Sequence, residues 1–177
     1  MRKGILAAAL LAVPLVFVRP IYSHCEIPCG IYDDPLRIQL LEEHIGTVEK
    51  SMKQIVELSK AGERNYNQLV RWVANKEKHA DEIQHVVTQY FMTQRVKPAA
   101  PGDGEKYTKY VTQLTLLHQV LVAAMKAKQT TDLAHVEAMR KLVADFKAAY
   151  FEATAADAAG GTTTAHTHAP ADDSHPH

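Results

Sequence analysis

Both cysteines of this chain fall in one short stretch, "HCEIPCGIY", which runs from His24 to Tyr32. A chain that begins at His24 offers a free α-amine and an imidazole on its first residue. The Cys25 amide nitrogen lies one chelate ring away and the Cys25 sulfur one ring further. Amine, deprotonated amide and thiolate then take three adjacent corners of a plane around one metal ion. Pro28 fixes one turn and Gly30 frees another, and the return brings the Cys29 sulfur to the fourth corner, leaving the His24 imidazole an axial position. Two nitrogens and two thiolates in a plane suit Ni(II) or Cu(II), whereas zinc has no electronic preference for planarity. Such anionic, strongly donating ligands also stabilise a higher oxidation state. The same residue types allow a Cys25–Cys29 disulfide, which an oxidising compartment favours, and both readings stay open on the residues alone.

The α-amine exists only if the preceding residues are removed, and their pattern predicts removal. Arg2 and Lys3 precede an apolar block from Gly4 to Val18, closed by Arg19 and Pro20. As a helix the block would reach roughly 22 Å, short of the ~30 Å hydrocarbon core of a bilayer. Residues 1–23 therefore read as a secretory signal peptide, cut between Ser23 and His24, with a secreted or periplasmic destination. Loss of Arg2, Lys3 and Arg19 leaves 17 of the 20 basic side chains against 20 acidic ones. This mildly acidic balance, without basic runs, argues against nucleic acid or an anionic membrane surface as a partner of the mature protein.

Residues 24–34 form the hook, and the elements that must position it begin at Pro35. Ile38, Leu41, Ile45, Val48, Met52 and Ile55 recur at helical spacing. So do Leu69, Trp72, Ala80, Ile83, Val87 and Tyr90, with a polar gap at Lys76. A third stripe is Tyr107, Tyr110, Leu114, Leu117, Leu121 and Ala124, and a fourth is Leu133, Val136, Met139, Val143, Phe146 and Tyr150. Each is narrow and flanked by polar residues, as bundle helices require. Breakers near Gly62, from Lys97 to Gly104 and at "KQTTD" separate them. Asp34 before Pro35 reads as an N-cap with proline at the first helical position. The expected fold is all-α, an up-down four-helix bundle over 35–153.

From 154 to 177 the composition is Ala, Thr, Gly, Pro and His, too poor in large apolar groups to order itself, and predicts a disordered His-rich tail. His166, His168, His175 and His177 with Asp172 and Asp173 offer a loose divalent-ion site there. The helical histidines His44, His85, His118 and His135 read as surface or packing residues.

"HCEIPCGIY" resembles, residue for residue, the His-Cys-x-x-Pro-Cys-Gly-x-Tyr hook of the nickel-containing superoxide dismutases. "RWVANKEKHA" and the later "YF" resemble second-helix segments of that family, whose fold is a four-helix bundle. The resemblance implies nickel as cofactor, superoxide as substrate and a homohexamer in which hooks lodge against neighbouring subunits. It implies that His24 gives its amine and, when oxidised, its imidazole, that Cys25 gives amide nitrogen and sulfur, and that Cys29 gives sulfur. Tyr32 would stand over the open face, ordering water or peroxide. Glu26 replaces the aspartate usual in the family, and Gln39 and His79 align with the Glu–Arg pair that steadies the axial imidazole there. Gln39, Glu42, Arg71 and His79 are thus the candidates for that support. The competing functional class is a secreted nickel or copper carrier that uses hook and tail without turnover.

Overall fold

The computed structural model describes residues 30–60 and 65–160, with side chains described as far as Glu152. The expected leader, the ligands His24, Cys25 and Cys29, and residues 161–177 lie outside the described residues. Four helices make up the fold: α1 (Asp34–Lys60), α2 (Tyr66–His85), α3 (Glu105–Gln129) and α4 (Ala134–Gly160). A π-helical segment, Val86–Arg95, continues α2 without a break, and a 3-10 turn, Pro101–Asp103, precedes α3. No strand occurs among the described residues, and no helix among them is long and apolar enough to cross a membrane.

Cross-helix contacts give the helix directions. Ser51 meets Asn75 while His44 meets His79; Gln84 reaches Leu121 while Lys128 reaches Asp81; Glu49 pairs with Arg140 while Glu42 lies near Lys147. In each pair of helices one number rises as the other falls, so neighbours are antiparallel. α1 packs on α2, α3 on α4, and α2–α3 and α1–α4 close the ring. This is the up-down bundle that the apolar periodicity predicts.

The first and fourth stripes form the core nearly as written. Ile38, Leu41, Ile45, Val48 and Met52 are buried, as are Val136, Met139, Val143, Phe146 and Tyr150. Leu133 lies outside α4, where its carbonyl accepts the Val136 and Glu137 amides. The third stripe is rotated from expectation. Its buried seam is Gln113, Leu117, Val120, Ala124 and Ala127, while Tyr110, Leu114 and Leu121 flank it half-buried. Small alanines let α3 approach closely, and Gln113 is tolerated because its amide donates to the Ala149 carbonyl at 3.3 Å.

Three local expectations change. The N-cap of α1 is Asp33, one residue earlier than predicted. Its Oδ1 accepts the Leu36 amide at 3.0 Å and its carbonyl accepts the Arg37 amide at 3.1 Å, which releases the Asp34 carboxylate for other work. α4 runs to Gly160, beyond the predicted end at 153, because the alanine-rich stretch after Glu152 consists mostly of strong helix formers. The polar gap at Lys76 is a buried cation, 4% exposed. Its Nζ donates to the Lys128 and Thr130 carbonyls at 2.5 and 3.0 Å, so it caps the C-terminus of α3, where a positive charge also meets the helix dipole.

Two substitutions test this packing by urea unfolding. Phe146→Ala is expected to cost about 3–5 kcal/mol through the cavity it leaves. Lys76→Met is expected to cost about 1–3 kcal/mol by orphaning two buried carbonyls, even though it adds apolar volume to the core.

Candidate metal centre

Of the motif from His24 to Tyr32, the described residues are Gly30, Ile31 and Tyr32. Gly30 has φ +76°, and a Cβ built on it would meet no atom within 4 Å. Backbone conformation rather than space therefore calls for glycine directly after Cys29. Tyr32 is 41% exposed. The donors on His24, Cys25 and Cys29, two nitrogens and two thiolates with an imidazole, fit nickel by type. Among the described residues no other group of three or more His, Cys, Asp or Glu could hold a metal ion.

Two residues beyond Tyr32, the Asp34 carboxylate gathers four hydrogen bonds. Its Oδ1 accepts the Tyr90 hydroxyl at 2.6 Å and Arg95 Nε at 2.8 Å. Its Oδ2 accepts Arg95 Nη2 at 2.6 Å and the Tyr150 hydroxyl at 2.8 Å. The π-helical geometry carries two of the three donor residues. Its wider turn buries Val86 with Val87 and Tyr90 with Phe91, where a regular α-turn would rotate one of each pair outward. Thr93 Oγ1 and Gln94 Nε2 donate to carbonyls five residues back, at 2.7 and 2.8 Å. Beneath the carboxylate an aromatic cluster fills this end of the core: Phe91 packs edge-on against Phe146 and Tyr150, with centroids 4.9 and 5.7 Å apart. The Arg37 guanidinium lies 4.9 Å over the Tyr90 ring.

A cleft of about 560 Å³ opens beside this anchor, lined by Arg95, Lys97, Lys106, Lys109, Tyr110 and Tyr150 among others. The acid in its lining, Asp103, has Oδ2 occupied by the Ala100 amide at 2.7 Å. With Arg95 matched by Asp34, three lysines against one aspartate leave the lining net positive.

The candidates for steadying the axial imidazole do not come together. Gln39 is exposed. Glu42 is exposed and 3.6 Å from Lys147 Nζ. Arg71 is exposed and lines a shallow groove with Thr47, Lys50, Gln68, Trp72 and Asn75. His79 is half-buried and meets His44, Nδ1 to Nδ1, at 2.9 Å. Sequence reading missed both the Asp34 anchor and the basic cleft. The anchor left no motif, since its members lie 56 to 116 residues apart. The cleft's signal was the set of cations flanking "PAAPGDG", which reads as an ordinary loop.

Burial alone would push the Asp34 carboxyl up, but hydrogen bonds from Arg95, Tyr90 and Tyr150 and the Arg95 charge together hold it below its ordinary value. Burial, then the hydrogen bond to Asp34 and its charge, push Tyr90 up to about 12 and raise Tyr150 further. The two groups bound the stability window from opposite sides. The Asp34 contribution is complete above the ordinary carboxyl value of 3.8 and is lost as pH falls through its lower folded value. The Tyr90 contribution is complete below 10.0 and is lost as pH rises from there towards about 12. In a spectrophotometric titration at alkaline pH, Tyr90→Phe and Tyr150→Phe should each remove a late-ionising tyrosine.

Neither a curated protein nor a solved structure matches the chain. The family model for nickel-containing superoxide dismutase matches residues 19–154, from just ahead of the hook to the end of the aromatic stripe on α4. That match covers most of the chain and agrees with the all-α fold of four helices, and the chain belongs to the nickel-containing superoxide dismutase family.

Proposed function

We propose that the mature chain begins at His24 and dismutates superoxide at a nickel ion held by the His24 amine and imidazole, the Cys25 amide nitrogen and sulfur, and the Cys29 sulfur. The observation that carries this reading is the family match across residues 19–154, which takes in the whole of "HCEIPCGIY". Nickel bound there supplies one-electron exchange between its divalent and trivalent states, so that two superoxide ions and two protons yield O2 and hydrogen peroxide.

The chain's own contribution begins with cleavage, because an amide nitrogen at His24 would lack the basicity of a free amine. The thiols of Cys25 and Cys29 bind as thiolates, so metal binding releases protons. Pro28 and the left-handed Gly30 return the chain after Cys29. Tyr32 orders water or peroxide and limits access to small anions. The lysines of the basic cleft favour an anionic substrate by raising its local concentration. On the same reading residues 1–23 direct the protein to a secreted or periplasmic location, and the mature chains assemble as a homohexamer.

Intact mass spectrometry on nickel-grown protein tests the proposal. The expected result is a denatured mass beginning at His24 with one nickel per chain retained under native conditions, and a mass beginning at any other residue overturns it. Ser23→Trp should block processing and abolish activity together. Gly30→Ala places a side chain at positive φ at a cost of about 1–2 kcal/mol; it should weaken nickel retention while leaving bundle unfolding unchanged. Tyr32→Phe should keep nickel yet alter turnover or inhibition by peroxide, whereas a carrier would show no turnover to alter.

A further inference from the structure

The bundle brings a second set of metal-capable nitrogens together, none of them in the hook. His44 on α1 and His79 on α2 approach Nδ1 to Nδ1 at 2.9 Å, with ring centroids 5.0 Å apart and planes inclined at 55°. Both are half-buried. Their backbones are held by core neighbours, Leu41, Ile45 and Val48 on one helix and Ala80 and Ile83 on the other, so the facing geometry is built into the α1–α2 packing.

Two imidazole nitrogens this close have two uses. One ring can donate its Nδ1 proton to the lone pair of the other, or both lone pairs can turn to a single cation. The distance discriminates among cations. With metal–nitrogen bonds of about 2.0–2.1 Å, a right angle at the metal sets the nitrogens about 2.9 Å apart, whereas a tetrahedral angle requires about 3.3 Å. In the ion-free pair 2.9 Å is an ordinary hydrogen-bond distance; turning both lone pairs to one ion needs the least change of separation for a right-angled, tetragonal site, the geometry of Cu(II) and Ni(II) rather than zinc. Glu82 and Glu43 lie within electrostatic range of His44, while burial, His79 and Lys78 weigh against positive charge on its ring, which keeps the imidazole in the neutral form that a metal ligand needs. Among the described residues no third ligand closes on the pair, so an ion held there would complete its coordination with water.

We propose that His44 and His79 form a bidentate imidazole site for a tetragonal divalent ion, Cu(II) or Ni(II), whose ligands are independent of the N-terminal hook.

The test uses the full chain with Cys25→Ser and Cys29→Ser, which removes the thiolate donors of the hook. CuCl2 is titrated into this protein by calorimetry and electron paramagnetic resonance, before and after adding His44→Gln or His79→Gln. Each added substitution is expected to remove one equivalent of bound Cu(II) per chain together with the signature of paired imidazole nitrogens. The histidines of the tail are present in every variant and cancel in the difference. An unchanged stoichiometry in both variants, or a loss in only one, overturns the site. Because a helix substitution can disturb folding, a second measurement leaves both histidines in place. In the same Cys25→Ser, Cys29→Ser chain with 15N-labelled histidine, substoichiometric NiSO4 should broaden the His44 and His79 ring resonances before those of His118 or His135. Broadening elsewhere with this pair unaffected shows a hydrogen-bonded pair only and overturns the proposal.

Discussion

A single half-buried carboxylate fixes the end of the bundle from which the chain continues towards the hook. Asp34 accepts from Tyr90, from both edges of Arg95 and from Tyr150, and thereby ties the start of α1 to the π-helical segment and to α4. A carboxylate has about four acceptor positions, and here four donors fill them. No single donor can be removed without leaving the carboxylate short, and removing the carboxylate would strand a guanidinium and two hydroxyls. That concentration of charge-assisted hydrogen bonds makes this end rigid, two residues from Tyr32.

The anchor depends on a local departure from α-helical geometry. A regular α-helix through Val86–Arg95 would rotate successive side chains by a constant step and would carry part of Tyr90, Phe91 and Arg95 away from Asp34 and the core. π-Helical turns are uncommon and concentrate at functional sites. Here the widened turns bury Tyr90 and Phe91 together, set Phe91 against Phe146 and Tyr150, and deliver Arg95 to the carboxylate. The aromatic cluster lowers the local dielectric, which strengthens the hydrogen bonds above it and raises the cost of breaking any one of them.

The chemistry is divided between a short local motif and a scaffold. On the proposed reading the donors lie within six consecutive residues, from His24 to Cys29, and would need cleavage and a bend rather than distant partners. The scaffold contributes what a peptide of that length cannot: a fixed attachment, a positive cleft beside it, and the facing histidines of α1 and α2. At His79 the fold brings up a second imidazole, that of His44.

Much of this was legible from residue order. The hook is a local pattern that carries the family resemblance, and apolar residues at helical spacing specify four amphipathic helices because only that period buries one face. The seam of α3 was misread because Gln113 is polar and the alanines small, so the larger Tyr110 and Leu114 dominated the pattern while close approach to the neighbouring helices favoured the small side chains. Lys76 looked like a gap because a lysine's burial depends on carbonyls more than fifty residues away. The same holds for the helix cap. Asp33 and Asp34 are equivalent acids by sequence, and only the arrival of Tyr90, Arg95 and Tyr150 from other helices assigns one to the cap and the other to the anchor. Sequence by itself determined the helices and the family; tertiary structure decided which polar groups meet, because hydrogen bonds across 35 to 116 residues arise from helix packing and leave no periodic trace in the chain.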